Sequence, residues 1–224
     1  MKEKELRLAL VCYGGVSLAV YMHGVTKEFQ KLIRASALYH QISDPADRPD
    51  ETYLNVNDDP ERETDTESVY FELLQEIGQE LDLRVFVDVI AGASAGGING
   101  VMLARALAHD LPLDAHRHMW LEKADITALM DPETIAGKWS KAFLRPLFWD
   151  INDRWLKKIA PELEMREKLS TFMRSRWFEP PFSGQLMTDM LLDACHAMGD
   201  PKSRRASLLP TGQELNLFVS VTDF

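Results

Sequence analysis

Cysteine is nearly absent from this chain of 224 residues: Cys12 and Cys195 are too few and too far apart for a zinc site or a disulfide framework. Both lie in apolar runs and are expected to be reduced residues of the core. Positive charge is also scarce. Lysine and arginine number 25 against 35 aspartates and glutamates, a net charge of −10 that argues against nucleic acid as a partner. Long apolar runs are missing as well, since no segment approaches the roughly 20 residues of a membrane span. The start, MKEKELRLALVCYGG, mixes charges and has no apolar stretch of signal-peptide length. These absences lead to the expectation of a soluble protein made in the cytoplasm, with a peripheral membrane contact left open.

Glycine is absent from 43–67, where the acids concentrate. Ten carboxylates between Asp44 and Glu67 face only Arg48 and Arg62, which accounts for eight of the ten net charges. With Pro45, Pro49 and Pro60 and little to bury, this stretch reads as a solvated acidic loop. A calcium loop needs ligands at alternate positions and a turn glycine, so no metal is expected there.

The remainder is close to neutral and well patterned. LRLALVC (6–12) reads as a buried strand that breaks at Gly14-Gly15. A helix follows, with Leu18, Tyr21, Met22, Val25, Phe29, Leu32 and Ile33 on one predicted apolar face. SVYFELLQEIGQEL (68–81) predicts a second helix. RVFVDVIAG (84–92) has the β-branched run of a strand covered on both faces. GGINGVMLARALAH (96–109) predicts a helix that is apolar nearly all round, and ELNLFVSVTDF (214–224) another strand. Strand, glycine turn and helix occur twice, which argues for a parallel sheet with helices on both faces. Ligands bind such sheets at the carboxyl ends of the strands, where both glycine turns fall.

The stretch 110–200 is helical in pattern and holds all five tryptophans, Trp120, Trp139, Trp149, Trp155 and Trp177, interleaved with bases such as Lys138, Lys141, Arg145, Lys157 and Lys158. It is expected to form a helical cap. Its aromatics either fill the cap's own core or make an amphipathic face toward lipid headgroups.

The chemistry concentrates at the second glycine turn. Gly92-Ala93-Ser94-Ala95-Gly96 is G-x-S-x-G between a strand and a helix, the context that pattern requires. There the serine sits on a strained turn with its hydroxyl above the sheet, and only small neighbours fit. The helix beginning after Ser94 points its positive end at developing negative charge. Backbone N–H groups around Gly14, Gly15 and Val16 could complete an oxyanion hole. The general base is less evident. His109, His116, His118 and His196 follow Ser94, but none lies in a loop after a strand. Asp88 lies about 20 Å back along its strand at the usual rise; Asp189 and Asp193 share a helix pattern, and Asp223 ends the last strand.

LALVCYGGVSLAVYMHGV resembles the first strand and oxyanion loop of the patatin-like phospholipases, particularly bacterial ones. DVIAGASAGGING resembles their nucleophile elbow, and LFVSVTDF the later strand that ends in a Thr-Asp pair. The resemblance implies a three-layer α/β/α fold with a mainly parallel sheet, spanning 1–224. It implies a serine lipid acyl hydrolase that uses a Ser-Asp dyad, no histidine and no cofactor, on phospholipids or related acyl lipids. Ser94 would be the nucleophile, and Gly14, Gly15 and Val16 the oxyanion loop. Two departures stand out. The run Tyr13-Gly14-Gly15-Val16-Ser17-Leu18 lacks the family's first glycine, its basic residue and its last glycine. No aspartate is followed by glycine anywhere, although the family's dyad aspartate sits in an Asp-Gly turn. The expectation is a domain incomplete at its C-terminus, with the dyad aspartate and further domains beyond residue 224. A catalytically silent lipid- or partner-binding module and an acyltransferase are the alternatives.

Overall fold

A computed structural model describes residues 3–15, 18–42, 47–48, 65–123, 184–200 and 207–221. Two compact units divide the chain, Met1–Arg117 with Ala194–Phe224, and His118–Asp193. The first unit carries the sheet. Strand β1 (Glu3–Cys12) leads into helix α1 (Ala19–Tyr39), and helix α2 (Glu67–Ile77) precedes strand β2 (Asp82–Ala93). Helix α3 (Ala95–His109) follows β2 after one residue, helix α4 covers Gly184–Ala197 and strand β3 Asn216–Ser220. The strands lie in the order β1-β2-β3, all parallel. The protein is therefore of the α/β class with a parallel sheet, as its alternating pattern predicts.

β1 and β2 pair from Glu3↔Asp82 to Cys12↔Gly92, with one slip. Leu8 pairs with Val87 and Ala9 with Val89, so Asp88 is the extra residue of a bulge. The bulge resets the alternation, and Val85, Val87 and Ile90 come to share one face, while Phe86 is buried on the other. Ala35, Leu38, Tyr39, Phe71 and Leu74 of α1 and α2 gather around Val85 in one cluster. α3 buries Met102, Leu103, Ala106 and Leu107 in the core. Fully buried aliphatic and aromatic side chains of this kind contribute roughly 1.5–3 kcal/mol each.

α1 departs from its predicted orientation. Of the seven residues assigned to its apolar face, only Ile33 is buried, while Leu18 and Tyr21 are exposed. The buried face carries His23, Thr26, Gln30, Lys31 and Ser36 among its apolar neighbours. Ion pairs with distant residues compensate Lys31 and its neighbours on the helix, whereas both polar atoms of the Gln30 amide are buried without a hydrogen-bond partner among the described residues. Lys31 pairs with Asp65, Lys27 with Asp114, and Arg34 Nε lies 2.9 Å from Asp110 Oδ1. Asp65 and Glu67, the last acids of the acidic stretch, are thus docked on α1 rather than solvated, and Glu67 is fully buried.

Arg48, in the same stretch, binds both carboxylate oxygens of Asp82 at 2.7 and 2.8 Å. Residues 43–46 and 49–64 of that stretch lie outside the described residues, as do Trp139, Trp149, Trp155 and Trp177. In the second unit Trp120 is buried. Cys12 and Cys195 are free and only partly buried, so neither belongs to the closed core.

Candidate active site

Ser94 occupies the single position between β2 and α3, with φ 52° and ψ −130°. A positive φ is uncommon for a residue with a Cβ and strained at these angles, of order 1–3 kcal/mol, so the surrounding structure must hold it there. The glycines show how. A Cβ on Gly92 would come within 2.7 Å of Gly97 Cα, and one on Gly96 would overlap the Cys12 carbonyl oxygen. The first turn of α3 can therefore sit directly against the ends of β2 and β1, which forces the chain to reverse within one residue. Ser94 is exposed as a result, while Ala95, Gly96 and Gly97 behind it are buried.

The first glycine turn reaches the same place from the neighbouring strand. A Cβ on Gly14 would lie 2.9 Å from Ser94 Cβ and 3.1 Å from the Ala93 carbonyl oxygen. Gly15 has φ 147°, a conformation that side chains rarely adopt, and its carbonyl accepts a hydrogen bond from Leu18 N–H at 3.1 Å. Gly14, Gly15, Ser94 and the start of α3 thus form one rim at the carboxyl end of the sheet. Ala93 and Ala95 flank the serine without obstructing it. Val16, assigned with the loop from sequence, lies outside the described residues.

Among the described residues, hollows border the sheet at both ends. A trough of about 610 Å³ runs across the strand ends, lined by Cys12, Tyr13, Gly92, Ala93, Phe218 and Val219 among others. A groove of about 360 Å³ shares Cys12 and Tyr13 with it and continues between β1 and α1, past Leu18, Tyr21, Met22, Val25 and Phe29. Five of the seven residues of the predicted apolar face of α1 therefore wall this groove, while Ile33 is buried and Leu32 packs against the core. A third, of about 380 Å³, lies at the opposite end of the sheet beside His40, Arg84 and Asp110, away from the serine.

No titratable side chain among the described residues bonds to Ser94. Asp88, the bulge residue, lies 3.8 Å from Arg7. Asp189 accepts a hydrogen bond from Gln185 within α4. Asp223 lies outside the described residues. Among the histidines, His116 is buried with Nε2 against the Ala194 carbonyl at 3.0 Å, and His109 sits in the last turn of α3. That turn is roughly 20 Å from Ser94 at helical rise. His40 lies at the amino end of β2, bonded to the Ser36 carbonyl and to Asp82. Burial lowers the pKa of His116 and His40, and it raises that of the Cys12 thiol beside the rim. Among the described residues no group of histidine, cysteine or carboxylate side chains could hold a metal ion.

Over 130 residues, 58% of this chain, the sequence is 34% identical to a protein of Mycobacterium tuberculosis named "Uncharacterized membrane protein Rv3479". That match covers 11% of the relative, so the chain spans about one tenth of the length of the curated protein it matches. No family profile and no solved structure matches the chain. Among the described residues, no helix is long and apolar enough to cross a membrane.

Sequence reasoning passed over Asn99, a buried amide on α3 whose Nδ2 lies 3.1 Å from the Ala95 carbonyl and 3.3 Å from the Ala19 carbonyl. The signal was present, because one amide in a helix otherwise apolar nearly all round must find partners inside the core.

Proposed function

We propose that the chain is a patatin-like domain of a serine lipid acyl hydrolase, with the three-layer arrangement of that family. The observation that carries the proposal is the backbone of Ser94, held at a strained positive φ between a parallel strand and a helix with Gly14 packed on its Cβ. In the proposed reaction Ser94 Oγ attacks the ester carbonyl of a phospholipid or related acyl lipid. The developing oxyanion is met by the N–H of Ala95 at the start of α3 and by N–H groups of the glycine loop. The alcohol leaves, and water then hydrolyses the acyl-enzyme. The groove between β1 and α1 begins beside Gly14 and is apolar along its length, which suits an acyl chain. A carboxylate takes the serine proton in this scheme, and no described residue is assigned to that role.

A fluorophosphonate probe tests the reading directly. The full-length protein should be labelled at Ser94, and Ser94→Ala should lose both labelling and ester hydrolysis. Labelling that survives in Ser94→Ala sinks the assignment.

The altered glycine loop, Tyr13-Gly14-Gly15-Val16-Ser17-Leu18 without the family's first glycine, basic residue and last glycine, favours a second reading, a silent module that binds lipid or protein. Liposome co-sedimentation measured beside hydrolysis separates the two, since binding without turnover by the full-length protein supports the silent module. An acyltransferase would call for a histidine on the serine, and no described histidine is bonded there.

A further inference from the structure

Asn99 is only 2% exposed, in a stretch of α3 that also buries Met102 and Leu103. An unbonded amide in such a place costs about 1–3 kcal/mol, so its bonds decide what it contributes. Both of its acceptors are backbone carbonyls, which cannot donate, and so its NH₂ group must face them. Their positions are informative. Ala95 follows Ser94 directly, in the first turn of α3. Ala19 opens α1, four residues beyond Gly15, and is itself buried. One side chain therefore ties the helix that leaves the glycine loop to the helix that leaves the elbow.

We infer that Asn99 is a positioning residue that fixes the glycine-loop N–H groups relative to Ser94. The inference rests on the proposed roles of Ser94 and of the loop. The two halves of the rim come from residues 80 apart in the chain, and the close approach of Gly14 to Ser94 is a steric limit that sets no orientation. The Asn99 amide supplies a directional tie between them, because its nitrogen donates to one carbonyl on each helix. Without it, α1 can shift along α3 and carry Gly14 and Gly15 with it. Ser94 is held by its own glycines and would keep its conformation.

The test compares full-length protein with Asn99→Leu, which fills a similar volume without a donor, and with Asn99→Ser. Three quantities are measured: the rate of Ser94 labelling by a fluorophosphonate, kcat and KM on a short-chain nitrophenyl ester, and the thermal midpoint. Folded Asn99→Leu should label and turn over about 10–100-fold more slowly with KM unchanged, the order of loss that follows a shift of about 1 Å between reacting groups. A purely structural Asn99 would lower the midpoint and leave both rates per folded molecule at the wild-type value, which overturns the inference. If Asn99→Leu does not fold, Asn99→Ser decides by the same criterion. Its hydroxyl can keep a bond to the Ala95 carbonyl within its own helix but is too short to tie Ala19 as well. Wild-type protein that shows no labelling at Ser94 overturns the nucleophile reading first, and the positioning role falls with it.

Discussion

A methyl group on Gly96 has no space to occupy, because the Cys12 and Tyr13 carbonyl oxygens already stand where it would go. Both are backbone atoms at the end of a paired strand, so relief requires the strand or the helix to move. Gly96→Ala should therefore destabilise the protein by about 1–3 kcal/mol, the usual cost of overpacking. Gly24 is the control. It lies inside α1 with nothing within 4 Å of an added Cβ. Gly24→Ala should stabilise by about 0.5–1 kcal/mol through helix propensity alone. Urea midpoints for the two variants should move in opposite directions, and equal shifts would refute the account of the elbow. These glycines were legible in the sequence because a serine on a one-residue reversal admits only small neighbours, and that constraint acts within five positions. The contact of Gly14 with Ser94 was half legible: both turns were placed on one rim, but their packing belongs to the folded sheet. Asn99 went unread because its second acceptor, Ala19, is 80 residues away.

At the scale of elements, α1 shows where periodicity misleads. Its apolar stripe was plain, yet the stripe that is buried carries His23, Gln30 and Lys31. Nothing local could reveal this, since the compensating carboxylates of Asp65 and Asp114 arrive from other parts of the chain. The buried histidine has a measurable consequence. Burial foremost, with His116 and Lys27 adding to it and Asp114 opposing, lowers the His23 pKa from 6.5 to about 4. The folded state thus holds this proton more weakly than the unfolded state does. Stability from a neutral His23 is complete above pH 6.5 and is lost as pH falls from 6.5 toward 4. His116 and His40 are lowered in the same direction and add to the effect. His23→Asn should therefore lose less of its thermal midpoint between pH 7 and pH 5 than wild type. Parallel midpoint curves would show that His23 is not kept neutral by its surroundings.

The parallel strand order was legible in the whole molecule because strand, glycine turn and helix alternate twice, and a parallel pair needs a crossover of that kind. Helices were expected on both faces, although β1 carries Glu5 and Arg7 along one of its sides. The helical core packs on the face of Val85 and Ile90. On the other face, Val11, Ala91 and Phe218 form one row in register across all three strands. Val11 is 62% exposed and Phe218 60%, so the row presents open apolar surface. Both outer strands also leave one edge of backbone N–H and C=O groups without a strand partner among the described residues. Exposed apolar surface beside open edges favours association between molecules. The isolated 224-residue chain should therefore elute from a sizing column at a mass that rises with concentration. Phe218→Lys places a charge at one end of the row, on an edge strand, where it disfavours stacking and leaves the buried core untouched. That variant should elute at the monomer mass across the same range. A wild-type chain that stays monomeric, or a Phe218→Lys variant that associates as strongly, would show that this face is closed in solution.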